Sequence, residues 1–157
     1  MQTPAGGTVV GATPKLSSSV ALLEGTFVCP QNALRTNAPP LPPLFVDRLQ
    51  VEVILRNLLA NSVESLIGSG RHDGHISVRA ERHDERHVRI VVADNGPGIS
   101  SVVRENLFEP FVSGKPSGMG LGLAVSRAIA EAHGGTLEAA AAGHGEFRLV
   151  LPCAQNA

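Results

Sequence analysis

Asn57 and Asn61 lie four residues apart in a stretch whose apolar residues recur at helical spacing. Their amides therefore share one side of a helix, one turn apart. Asparagine is a poor helix former, and amide carbonyl oxygens suit a hard cation that keeps several waters, as magnesium does beside a phosphate. Two amides that cap a loop or face water fit the same spacing. ADNGPGI, from Ala93 to Ile99, leaves the end of an apolar run. Asp94 can accept a hydrogen bond from an amino group there. Gly96 and Gly98, just before Ile99, carry no side chain to keep a flat ring off the backbone; the same residues also make a strong turn. GKPSGMGLGL, from Gly114 to Leu123, sets Lys115 and the glycines 118, 120 and 122 directly before a helical pattern. Free N–H groups and the positive end of a helix dipole favour a phosphate. Lys115 suits a phosphate contact or an exposed solubilising charge.

Those residues need elements to hold them. Asp47 is a good N-cap, and RLQVEVILRNLLANSVESLIGSG follows as a long amphipathic helix closed by Gly68 and Gly70. HISVRAERH and RHVRIVVAD alternate apolar and polar residues as a hairpin, the second strand becoming apolar and so more central. A short helix over Val102 to Leu107 precedes LFEPF, whose phenylalanines read as core anchors at the base of a mobile loop. From Leu123 to His133 a helix is expected to bury Leu123, Val125, Ala128, Ile129 and Ala132. GTLEAAAA and EFRLVLP close the domain as a second hairpin around Gly143 and Gly145. Residues 1–19, rich in Gly, Thr, Pro and Ser, read as a disordered or linker tail. Residues 20–157 then form one domain, with one or two edge strands between Val20 and Asn37. The fold class is α/β: one mixed, mostly antiparallel sheet with helices packed on one face.

The chain of 157 residues is 43% apolar and 17% charged, a composition that supports one buried core. A net charge of -1 gives no ground for nucleic acid or anionic membrane as a partner. Cys29 and Cys153 have no metal-ligand spacing and read as reduced, partly buried thiols of a cytoplasmic protein. No apolar run reaches membrane-spanning length, and no signal pattern opens the chain. With no tryptophan or tyrosine, a bound base would be held by aliphatic packing and hydrogen bonds.

Taken in order, NLLANSVES, DNGPGI, LFEPFVSGK and GMGLGL resemble the N, G1, F and G2 boxes of the ATP-binding catalytic domain of sensor histidine kinases. AIAEAHGG and GHGEFRLVLP resemble that family's next helix end and terminal hairpin, so the resemblance runs from about Asp47 to Pro152. Only Val112 to Ser117 separate the F and G2 boxes, which looks most like kinases with a short ATP lid. The resemblance implies a two-layer α/β sandwich of the Bergerat type that binds ATP and Mg2+. It makes Asn61 the magnesium ligand and Asn57 its supporting partner, and Asp94 the acceptor of the adenine amino group, above Gly96, Gly98 and Ile99. Lys115 becomes the lid contact, and Gly118, Gly120, Leu121, Gly122 and Leu123 the phosphate loop. Asn57, Asn61 and Lys115 would thus carry the transfer.

This chain departs from the pattern twice. Glu64 stands where many relatives carry a basic residue, which moves weight onto Lys115. None of His72, His75, His83, His87, His133 and His144 stands in a helical phosphoacceptor box, and the first 46 residues do not read as the helical hairpin that bears one. The implied activity is donation of the γ-phosphoryl group to a histidine on a separate dimerisation and acceptor domain, with a response regulator downstream. A non-catalytic nucleotide-binding module and a serine protein kinase acting on a protein antagonist share the nucleotide residues. A gyrase- or Hsp90-type hydrolase would need a glutamate at Asn57 to activate water, and an amide has no such basicity.

Overall fold

A computed structural model describes residues 8–10, 33–37, 41–111 and 120–154. Strands β1 (Thr8–Val10), β2 (Ala33–Asn37) and β3 (Leu44–Val46) precede helix α1 (Arg48–Ser69). The hairpin β4 (His75–Arg82) and β5 (His87–Asp94) follows, then helices α2 (Ser101–Glu105) and α3 (Gly122–Ala132), then β6 (Thr136–Ala139) and β7 (Gly145–Pro152). Asp47 starts α1 as an N-cap, its Oδ1 accepting from Gln50 N at 3.2 Å. Gly70, left-handed at φ 65°, ends it.

The main sheet has the order β2-β4-β5-β7-β6. β2 joins β4 in parallel and the other pairs are antiparallel. Strand residues point alternately to the two faces, and the register lines up Val78, Val92 and Phe147 on one of them, with Ala80, Ile90 and Leu149 beside them. Against that face lie Ile54, Leu55, Leu58 and Leu66 of α1, each at most 1% exposed, and Ala130 of α3. Burying a leucine or isoleucine this completely contributes about 2 kcal/mol each. The opposite face carries ion pairs, among them Arg89 with Glu81 and Arg148 with Glu146. The expected two-layer arrangement holds.

The direction of α1 follows from how β3 is anchored. Leu44 bridges to Cys153 at the end of β7, and Cys153 N donates to Arg86 O at 2.7 Å, just before β5 begins. Starting from that end, α1 reaches the turn after β5 with Ser65 and Leu66, which flank Gly96. Helix and strand therefore run the same way, and the far half of α1 lies over the end of β5.

Several expectations change. Thr8–Val10 pairs antiparallel with β3, so part of the span read as a tail is a strand; the β-branched run TVV suits that role. The buried face of α3 is centred on Ser126 and Ala130, with Leu123 and Ile129 partly buried. Val125 is 45% exposed, and Ala128 and Ala132 face outward. The helix is turned by hydrogen bonds at both ends. Ser126 bonds to α1 near one end. His133 Nε2 accepts from Asp47 N at 3.0 Å at the other, while His133 Nδ1 lies 2.8 Å from Ile129 O. Phe108 packs on the core as expected, but Phe111 is exposed, with φ 65°. Cys153 is a free, partly buried thiol, and Cys29 lies outside the described residues.

Candidate functional site

Asp94 ends β5 on the helix-facing side of the sheet and is 5% exposed. Its Oδ1 accepts from Gly96 N at 2.9 Å, which folds the following turn back over the carboxyl group. A Cβ at Gly96 would stand 2.7 Å from both Asp94 Oδ1 and Ser65 Oγ. At Gly145, the register partner of Asp94 on β7, a Cβ would run into the same carboxyl group. Two missing side chains thus leave Asp94 room on both flanks. Gly98, at φ 81°, lies against the backbone of His144, and Ile99 packs on the core. Asn95 points elsewhere: its Oδ1 accepts from His75 N and its Nδ2 donates to Asp73 O, fixing the turn to the start of β4.

The second part of the site begins at Asn57. Its Nδ2 donates to Gly122 O at 3.0 Å and to Ser126 Oγ at 2.9 Å, and Ser126 Oγ donates to Gly122 O at 2.7 Å. This cluster sews α1 to the first turn of α3. Leu121, the N-cap of α3, makes no side-chain capping bond, so the first-turn N–H groups point outward without a side-chain acceptor from it. Gly120 is left-handed at φ 67°, and its carbonyl accepts from Phe111 N at 3.1 Å. Phe111 and Gly120 therefore lie side by side. Lys115 and Gly118, with the rest of the expected lid, lie outside the described residues.

α1 joins the two parts. Asn57 meets the glycine segment at Gly122, Ser65 meets the Asp94 turn, and half-buried Asn61 lies midway on the helix. From Asn57 to Ser65 the axis rises about 12 Å. Asp94, Gly96, Gly98 and Ile99 thus lie toward one end of this stretch of α1, with Gly120, Leu121, Gly122 and Leu123 toward the other; the space along α1 between them is the candidate groove.

Residues 46–155 match the family described as histidine kinase-, DNA gyrase B- and HSP90-like ATPase. The chain belongs to that family. Among curated relatives it is 42% identical over 125 residues to the C4-dicarboxylate transport sensor protein DctB of Rhizobium meliloti, covering 78% of this chain and 20% of that protein. It is 38% identical over 129 residues to the sensory histidine kinase/phosphatase NtrB of Salmonella typhimurium, covering 76% of this chain and 36% of that one. The chain therefore spans between a fifth and about a third of these relatives. Among solved structures, full-length ShkA in complex with AMPPNP superposes with a TM-score of 0.82 at 28% identity, over 100% of this chain and 33% of that one. The mycobacterial sensor histidine kinase MprB gives 0.76 at 25% identity, over 96% and 99%.

Around these residues stand others that the sequence did not single out. Gly145 reads as a hairpin turn, yet it lies within β7 beside Asp94. Ser65 and Ser126 carry no motif signal, and only their neighbours across space give them a place. A separate cleft of about 320 Å3 between α2, α3 and β6 holds Arg104, Glu138 and Arg127, the last 5.2 Å from the centre of the Phe108 ring. It shares no residue with the groove.

Glu146, next to Gly145, faces the other side of the sheet. Burial disfavours its charged form. Arg148 Nε at 2.8 Å, His144 Nε2 at 3.1 Å and the nearby charge of Arg79 outweigh that and hold its pKa below the usual carboxylate value. A lowered folded pKa stabilises the fold above the unfolded pKa, and the contribution is lost as pH falls through the folded one. Glu146→Gln is therefore expected to lower stability at neutral pH, with the gap to wild type closing once acid protonates the carboxylate. Urea melts across pH check this. A gap that stays constant into acid would leave Glu146 with a packing role only.

Proposed function

We propose that the groove binds Mg-ATP, with the base at Asp94 and the phosphates at the start of α3, and that the domain donates the γ-phosphoryl group to a histidine of a separate acceptor domain. One observation supports this above the others. α1 presents Asn57 to the glycine segment and Ser65 to the Asp94 turn, with Asn61 between them, which suits a ligand that carries phosphates with their metal at one end and a base at the other. The uncapped first turn of α3 suits phosphate oxygens. Asp94, with room left by Gly96 and Gly145, suits an exocyclic amine. Asn61 offers an amide oxygen of the kind magnesium accepts while keeping its waters, and the ion would neutralise charge on the phosphates. Asn57 fits a positioning role better than a ligand's, because its amide already holds Gly122 and Ser126.

In the transfer the acceptor imidazole nitrogen bonds to the γ-phosphorus, the bond to the β-γ bridging oxygen breaks and ADP leaves. The imidazole proton goes to solvent. This domain supplies position and charge neutralisation, which are the main demands of phosphoryl transfer. Lys115 and Gly118 complete the phosphate end in this reading. The response regulator acts downstream, and the domain works in the cytoplasm; among the described residues no helix is long and apolar enough to cross a membrane. Hydrolysis of the gyrase kind is disfavoured by Asn57, an amide whose nitrogen is committed to α3.

Asn61→Ala is expected to weaken ATP binding about tenfold with magnesium present and hardly at all in EDTA, since its partner is the ion. Calorimetric titrations under both conditions test this. An equal loss in EDTA would make Asn61 structural and take the metal away from it.

A further inference from the structure

Among the described residues, Ser62 Oγ is a buried side-chain oxygen that makes no hydrogen bond, and Ser62 is only 1% exposed. A serine inside a helix that does not face solvent can donate to the carbonyl one turn back. Ser126 does so to Gly122 O at 2.7 Å, and Ser69 donates to Leu66 O at 2.8 Å. Ser62 does neither. A buried hydroxyl left unpaired is destabilising, and native proteins rarely keep one without a role or a bound partner.

The place of Ser62 says what that partner is. Ser65 and Leu66 flank Gly96, and α1 runs in the direction of β5. Ser62 stands four residues back from Leu66, about 6.0 Å along the helix axis; Asp94, the end of β5, stands two residues back from Gly96, about 6.6 Å at strand spacing. Ser62 therefore lies abreast of Asp94. It also lies on the buried side of α1, in line with Leu58 and Leu66.

We propose that Ser62 is a base-binding residue: with Asp94 it forms the polar end of the groove, and its hydroxyl gains its hydrogen bond when a purine enters, from the base edge or from one water held between base and carboxylate. Asp94 and Gly96 already satisfy each other through one oxygen. Gly145 brings no side chain to the other, so the hydroxyls at this corner come from α1: Ser65 Oγ beside the Gly96 turn and Ser62 Oγ, the buried one left without a hydrogen bond among the described residues. The inference rests on reading the groove as the nucleotide site.

The test is calorimetric titration of ATP and ADP into the whole chain as wild type, Ser62→Ala, Ser62→Cys and Asp94→Asn, each with magnesium and with EDTA. Ser62→Ala should bind both nucleotides about three- to tenfold more weakly, with equal loss under the two conditions. Its melting temperature without nucleotide should stay level or rise, because an unpaired hydroxyl has gone and alanine favours the helix. Ser62→Cys keeps the volume and loses the strong donor, so it should weaken binding similarly and rule out repacking as the cause. Nucleotide affinity in Ser62→Ala equal to wild type, beside a weakened Asp94→Asn, overturns the assignment of Ser62 alone. Wild type that binds neither nucleotide overturns the reading of the groove and Ser62 with it.

Discussion

Asp94→Asn is expected to lower ATP affinity by about tenfold to a hundredfold while leaving the fold intact. The substitution is informative because asparagine keeps an oxygen at Oδ1, where Gly96 N donates at 2.9 Å, so the turn retains its anchor. What changes is the other side of the group, towards Gly145, where an NH2 replaces an oxygen. An exocyclic amine then meets a donor in place of an acceptor. A hydrogen bond to a charged group contributes about 1.5–3 kcal/mol, and each 1.4 kcal/mol is about a factor of ten in affinity. GTP carries a carbonyl where ATP carries the amine, so wild type should reject it and Asp94→Asn should narrow the gap between the two. Calorimetry with both nucleotides, alongside a melting curve, reads all of this. Equal ATP affinity in mutant and wild type would remove Asp94 from the base site.

That Asp94 stood out in the sequence is a matter of locality. The apolar run of β5 ends in ADNGPGI, and every residue of the turn is within a few positions of the next. The same holds for α1, whose cap, apolar spacing and closing glycine are contiguous, and for the β4–β5 hairpin. Gly145 is different. Its role comes from pairing with Asp94 fifty-one positions earlier, and a glycine in GHGEF gives only a turn signal. The parallel pairing of β2 with β4 is equally non-local.

The misread face of α3 has another cause. In GLAVSRAIAEA the alanines are frequent enough to support more than one apolar stripe, so periodicity could not choose among them. Hydrogen bonds chose. Asn57 takes hold of Ser126, and Asp47 of His133, and these pull the polar Ser126 inward and leave Val125 at the surface. A buried polar pair across two helices overrides a weak apolar pattern because an unmade bond there would cost more than an exposed valine.

With pure chain, magnesium and ATP, no stable phosphorylation of the chain itself is expected, and hydrolysis should be slow. Phosphoryl transfer needs a nucleophile brought in line with the γ-phosphorus, and the histidines of this domain are built into other duties. His133 is buried with both ring nitrogens engaged, at Ile129 O and at Asp47 N. His87 Nδ1 lies 2.9 Å from Asp84 Oδ1 on the β4–β5 hairpin, and His144 Nε2 lies 3.1 Å from Glu146. His72, His75 and His83 lie in loops or at the start of β4, and none of the six is presented from a helix. Water fares no better, since the Asn57 amide takes no proton and its nitrogen is held by Gly122 O and Ser126 Oγ. Adding a separate helical-hairpin domain with its own histidine should restore transfer, first order in that domain while docking stays weak. Tethering the two should raise the rate as if the acceptor were present at about millimolar concentration. Labelled ATP followed by gel and by acid lability of the product reads the outcome. Stoichiometric label on any of the six histidines of the isolated chain would show that it carries its own acceptor, and the donor-only reading would fall.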